Sequence, residues 1–178
     1  LIPSVELFNL SISALILALS SSPFLPGDVF FNLTSFQIPA RACKLLSIHM
    51  EVANGAGEDD TKLGILFFKK NTQVTLGTLD ATANIAHADF TSNQYIGQSF
   101  LTLSDAGGLD NDIIDTTALY YPSGSSQKAA NAGENPFIPL ILKGDSGSTD
   151  LFAGGVVHAG APDFDGTANV KIHLHVEY

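Results

Sequence analysis

The stretch Lys143-Gly144-Asp145-Ser146-Gly147-Ser148-Thr149-Asp150-Leu151-Phe152-Ala153-Gly154-Gly155-Val156-Val157-His158-Ala159-Gly160 supports two incompatible readings. In the first, Gly144-Asp145-Ser146-Gly147-Ser148 is the nucleophile loop of a chymotrypsin-like serine protease. That chemistry needs a histidine to take the Ser146 proton, an aspartate to orient the histidine, and backbone amides for the oxyanion. Chain order offers His49 or His87 as base, with Asp89, Asp110, Asp112 or Asp115 as orienter. His87 lies too near Ser146 for a two-barrel arrangement, and His49 falls inside an alternating strand pattern. In the second reading the same residues are the polar turn of a β-hairpin whose second strand begins at Leu151. Glycine supplies positive φ there, and Asp and Ser bond their own backbone. The hairpin is the better fit, and with it a fold of short strands.

Outward from this turn, alternation of apolar and polar residues recurs along the chain. Val170, Ile172, Leu174 and Val176 fall on one face of a strand, and Lys171, His173, His175 and Glu177 on the other, the mark of a half-buried antiparallel strand. Leu46, Ile48, Met50 and Val52 repeat it, and Leu63 to Phe68 is apolar on both faces, as a central sandwich strand would be. Further strands are expected at Val5 to Ile12, Ala14 to Leu19, Asp28 to Phe36, Thr72 to Leu79, Gly97 to Leu103, Thr116 to Tyr121, Phe137 to Lys143 and Leu151 to His158. Turn-rich stretches separate them: Asn54 to Gly57, Asp105 to Gly108, Ser123 to Gly133 and Gly160 to Gly166. Ala81 to Phe90 has room for one or two helical turns. This pattern predicts an all-β fold, an antiparallel β-sandwich of jelly-roll type. Residues 1–25 are expected to form an N-terminal arm or strand and residues 26–178 the sandwich domain.

Composition narrows the function. Hydrophobic residues make up 45% of the chain and charged residues 15%, so the surface is dominated by Ser, Thr, Asn, Gly and Ala and much of it is expected to be covered. The formal net charge is -10 and Arg41 is the single arginine, which argues against direct nucleic-acid binding. The apolar N-terminus lacks a basic region, and its longest apolar run, Ala14 to Leu19, falls far short of the roughly 20 residues that span a bilayer. A strand, with no membrane contact, is the expectation. Cys43 sits in an apolar run and reads as a buried small hydrophobe.

Several polar constellations compete with a reading as ordinary solvated surface. His173 and His175 are two apart on one strand, so both imidazoles leave the same face and suit a shared divalent metal, given a third ligand from His158 or Glu177. At a subunit contact they would instead make association pH-dependent. Asp110, Asp112 and Asp115 form one acidic loop cluster, and Asp163 with Asp165 another, but the closing glutamate of a calcium hand is absent. Solvated turns are the simpler reading, and no catalytic, cofactor or metal residue is assigned. Asn9-Leu10-Ser11 and Asn32-Leu33-Thr34 match the glycosylation sequon. Tyr95, Tyr120 and Tyr121 could stack against a sugar in a carbohydrate- or receptor-binding sandwich of a fibre or tail, although the chain has no Trp.

The order of segments carries a resemblance. Phe67-Phe68, Asn84-Ile85-Ala86-His87-Ala88-Asp89, Ile96-Gly97, Ile138-Pro139-Leu140-Ile141-Leu142-Lys143, Ser146-Gly147-Ser148-Thr149-Asp150-Leu151-Phe152 and Gly160-Ala161-Pro162 precede a final alternating strand. From about Pro26 to Tyr178 this resembles small accessory virion proteins of tailed bacteriophages. The resemblance implies a non-enzymatic head decoration or cement protein on the capsid surface, without cofactors, whose partners are the major capsid protein, other virion proteins and copies of itself. The alternatives are a viral serine protease using Ser146 and the carbohydrate-binding sandwich.

Overall fold

A computed structural model describes residues 7–17, 24–40, 42–53, 62–72, 75–102, 113–119, 140–161 and 167–178. The strands are β1 (Leu7–Leu17), β2 (Val29–Gln37), β3 (Ala42–Ala53), β4 (Lys62–Phe68), β5 (Tyr95–Thr102), β6 (Ile113–Leu119), β7 (Ile141–Lys143), β8 (Asp150–Ala159) and β9 (Thr167–Glu177), with one short helix, α1 (His87–Ser92). They form two antiparallel sheets. The first runs β1-β9-β3-β6, with β7 also on β3, and the second runs β2-β8-β4-β5. Apart from the β4–β5 step and the short β7, each connection carries the chain from one sheet to the other, the connectivity of a jelly roll. The all-β sandwich expected from alternation is what forms.

Alternation explains the core with one correction: on β3 a register shift between Leu45 and Ser47 buries Leu45 where Leu46 is expected. Ile172, Leu174 and Val176 on β9 and Cys43, Leu45 and Ile48 on β3 are buried against Phe30, Phe31 and Phe36 of β2, Leu63, Ile65 and Phe67 of β4, and Leu151, Ala153 and Val157 of β8. Phe36 meets Phe67 edge to face at 6.2 Å, and Phe24 meets Phe30 at 5.7 Å, the geometry aromatic quadrupoles favour. Strand β4 is buried on both faces, as its unbroken apolar run predicts.

The reason for that double burial is a strap. Residues 75–92 lie over the outer face of the second sheet, where Leu76, Leu79, Ala83, Ile85 and Phe90 join Val29, Leu66, Phe68, Phe152 and Val156 in a second apolar cluster. The strand expected at Thr72 to Leu79 does not form among its described residues. Gly77 at φ +147 breaks the extended run, and Leu76 and Leu79 face the sheet instead, leaving only an isolated bridge between Leu79 and Val29. Asn32 holds the strap from β2: its Nδ2 donates to the Gly77 carbonyl at 3.0 Å and its Oδ1 accepts from the Leu76 N–H at 2.8 Å. The amide of this sequon is thus engaged in the fold. The helical turns expected at Ala81 to Phe90 appear slightly later, as α1, with the Ala86 N–H donating to the Asp89 carboxylate. No helix among the described residues is long and apolar enough to cross a membrane.

The N-terminal segment contributes one continuous strand rather than the two expected. β1 pairs with β9 from Leu7↔Glu177 to Leu17↔Thr167 without a register shift. The turn stretches 54–57, 105–108 and 123–133, the Asp110 and Asp112 positions, and residues 162–166 lie outside the described residues.

Gly154 and Gly155 on β8 let side chains cross the strand on either face. A Cβ at Gly155 would run into the Phe31 ring, whereas one at Gly64 would make only ordinary contact with Phe100 at 3.4 Å. Gly155→Ala is therefore expected to cost about 1–3 kcal/mol of unfolding free energy, with Gly64→Ala nearly neutral. Urea unfolding of both variants checks it, and equal stability of the two would contradict the packing.

Candidate functional site

The segment Gly144–Thr149 is not a hairpin turn. β7 pairs with β3 in the first sheet (Ala42↔Lys143, Lys44↔Ile141), while β8 pairs with β2 and β4 in the second. The turn is the corner where the chain leaves one sheet for the other. Its conformation follows from its residues: Asp145–Gly147 makes one 3₁₀ turn, with Ser146 at φ +48 and Gly147 at φ +85. At Gly144 any Cβ would strike the Ser148 carbonyl.

Polar contacts lock this corner to both neighbours. The Ser148 N–H donates to the Asp145 carbonyl at 2.7 Å, the Ile38 N–H to the Thr149 carbonyl at 2.9 Å, and the Gln37 Nε2 to the Asp150 carboxylate at 2.9 Å. Lys70, just beyond β4, pairs with the Asp145 carboxylate at 2.9 Å. The hydrogen bond from Lys70 is the chief reason the Asp145 carboxyl is held below its ordinary range. Desolvation opposes it as the second-largest effect, and the Lys70 charge, the Ser146 hydroxyl and the Lys69 charge add smaller pushes downward.

Ser146 is exposed, and its hydroxyl makes a long 3.5 Å contact with the neighbouring Asp145 carboxylate. His49 lies seven residues along β3 from Ala42, the position paired with Lys143. At the rise of a β-strand this is about 23 Å, and the corner lies beyond the Ala42 end. The triad geometry is not assembled with His49. His87 opens α1 and is exposed, with its carbonyl accepting from the Thr91 hydroxyl.

The other constellations are rearranged by register. His173 and His175 both sit on the face of β9 opposite the buried Ile172, Leu174 and Val176. The proposed third ligand does not join them. His158 is on β8, in the other sheet, where its ring lies 4.8 Å from Phe100. Glu177 is paired to Lys44 at 3.0 Å. The His175 Nδ1 is 2.7 Å from the Ser47 hydroxyl. What sequence reasoning missed is His49, which the β3–β9 register sets directly across from His173. The signal is in two alternating strands that each carry a histidine at a polar position, but only their relative register pairs them. Among the described residues no group of three His, Cys, Asp or Glu side chains stands close enough to hold a metal ion. Asp115 is on β6, opposite Glu51.

Outside the strap, the second sheet keeps a shallow depression of about 310 Å³ lined by Gly64, Leu66, Gln98, Phe100, Val156 and His158. Phe100 lies across from Gly64 and covers its backbone. Tyr95, 39% exposed, already packs its ring against Phe90 at 5.2 Å and Phe68 at 5.4 Å, so it completes the strap cluster rather than standing free as a stacking platform. Tyr120 and Tyr121 lie outside the described residues. Cys43 is buried between the sheets, and desolvation pushes its thiol up to about 11.

No protein-family model matches the sequence, and no curated protein matches it. Solved virus structures are similar to the chain at low scores. Against desmodium yellow mottle tymovirus the identity is 12% and the TM-score 0.27, covering 99% of this chain and 89% of that one. Against turnip yellow mosaic virus the values are 12% and 0.26, covering 98% and 93%. Against a semi-empty VLP of the giant freshwater prawn Macrobrachium rosenbergii nodavirus they are 7% and 0.31, again covering 98% and 93%. Likenesses this loose carry no argument about activity or partners.

Two predictions come from these residues. The Cys43 thiol, protonated and enclosed, should be untouched by a thiol reagent at pH 8 in the native protein and fully labelled in denaturant; fast native labelling would contradict its burial. For the corner, the folded Asp145 pKa is depressed, so the stabilisation it gives is present above the unfolded carboxylate value of about 3.9 and is lost as pH falls through the lower folded value. Asp145→Asn should lower the melting temperature at pH 7 and converge with the wild type in acid. A gap that widened in acid would reverse the sign.

Proposed function

We propose that the chain is a non-enzymatic structural protein of a virion, a capsid decoration or cement protein of the kind carried by tailed bacteriophages. It would sit on the capsid surface, bound to the major capsid protein, to other virion proteins and to copies of itself. The observation that carries this reading is the strand order. Two sheets connected as β1-β9-β3-β6 and β2-β8-β4-β5 make a jelly roll, a fold used by viral capsid domains, lectins and cupins. Fold alone does not assign function, so the interior and the surface must choose among these uses. The space between the sheets is filled with phenylalanine and aliphatic side chains, which favours a packing module over a ligand-enclosing barrel. The surface is poor in charge, and the net charge of -10 with one arginine sets it against nucleic acid.

In this reading residues 1–25 are the assembly segment and residues 26–178 the body, with β1 serving the body as well through β9. Each contact is weak, and repetition over a shell multiplies weak contacts by avidity. Ser146 belongs to the corner. Its exchange for alanine should leave assembly unchanged, and the wild type should remain unlabelled by a fluorophosphonate probe. The native mass decides the class: particles in the megadalton range are expected, and a monomer in dilute solution that reacts at Ser146 would overturn the proposal.

A further inference from the structure

The first sheet ends in two different ways. On one side β3 carries β6 along one part of its length and the three-residue β7 along another, so that edge is broken. On the other side β1 runs for 11 residues in unbroken register with β9, and no strand lies beyond it among the described residues. The segment LFNLSISALIL contains no charged residue, no proline and no glycine. The other outer strands each carry a blunting device: two register shifts in β2, Gly97 and a register shift in β5, and Asp115 in β6. Charges, prolines and bulges are what normally keep an edge strand from templating another chain. β1 has none of them.

We propose that β1 is the docking edge for a second copy of this chain, the two β1 strands pairing antiparallel about a two-fold axis at Ile12 and joining the two first sheets into one. The proposal rests on the reading of the chain as a self-assembling structural protein and names the surface it uses. Charge selects the occupant. Two copies of a chain with net charge -10 repel one another, yet Glu6 is the single charged residue in the first 25, so this edge lets acidic chains meet without opposing like charges. Register agrees. With Ile12 on the axis, Ser11 faces Ser13 of the second copy and Leu7 faces Leu17, while Leu10 faces Ala14 and Phe8 faces Ile16. The last four are positions set by β9 partners on the inner-face side of the sheet, among them the buried Leu174 and Val176. An isologous contact of this type closes on itself and forms roughly one backbone hydrogen bond per residue.

The test uses the full chain. Ser11→Cys and Ser13→Cys proteins, mixed and oxidised, should give a covalent dimer several-fold more abundant than either alone, because only the mixture brings the two cysteines opposite at disulfide distance; the enclosed Cys43 stays out of the exchange. The double variant Ser11→Glu/Ser13→Glu places two glutamate pairs across the axis, while the carboxylate introduced at position 13 lies opposite Lys171 within its own chain. It should weaken dimerisation about tenfold with the melting temperature unchanged at concentrations too low for the dimer to form. Large particles without the mixed cross-link would overturn the β1 edge and leave the shell reading standing. A cross-linked dimer from a protein whose native source yields no megadalton particle would uphold the edge and overturn the shell reading. A monomer at micromolar concentration, or a double variant that dimerises as tightly as the wild type, would overturn the edge.

Discussion

The register of β9 is the constraint on which the first sheet depends. It is paired on both sides, to β1 and to β3, and its Ile172, Leu174 and Val176 are fully buried. A slip of one residue would exchange all three for His173, His175 and Glu177 and turn two imidazoles and a carboxylate towards the phenylalanine layer. Burying such groups without partners costs several kcal/mol, so the alternation excludes every slip by an odd number of residues from the observed register. That register then sets the polar face: it brings Ser47 to His175, Lys44 to Glu177 and His49 across from His173.

Where side chains alternate strictly, the sequence could be read directly. β9 and most of β3 are legible from alternation and β4 from a run that is apolar on both faces, β8 is expected at Leu151 to His158, and β1 is expected as two strands, Val5 to Ile12 and Ala14 to Leu19. The break expected at Ser13 does not occur, since Leu10, Ile12, Ala14 and Ile16 continue one alternating set through the polar residue. The strap was not legible. Leu76, Leu79, Ala83 and Phe90 fall at helix-like intervals, yet only His87–Ser92 is helical, because the segment is laid against a sheet surface that only the fold supplies.

The corner at Gly144–Thr149 was misread for a different reason. Glycine, aspartate and serine serve a hairpin and a sheet-to-sheet corner alike, since both need a left-handed residue and local side-chain bonds. What separates the two is the identity of the strands paired with β7 and β8, a long-range property that no local spacing encodes. The same limit explains His158. Its place in the sequence is as compatible with the His173–His175 face as with the other sheet, and membership of β8 assigns it to the second.

The arrangement of covered and open surfaces follows from these assignments. The interior is filled by Phe30, Phe36, Phe67 and their aliphatic neighbours, and the strap closes most of the outer face of the second sheet. The depression left beside Phe100 is floored by Gly64, whose backbone the aromatic ring already shields, so its shape answers a packing need. On the outer face of the first sheet, among the described side chains, Ser47 meets His175 and Lys44 pairs with Glu177, and such groups are costly to strip of water. A sandwich whose faces are satisfied in these ways has its remaining backbone hydrogen-bonding capacity at its edges. Three of those edges are interrupted by bulges, glycine or charge, and association between copies meets least resistance where no such interruption was built in.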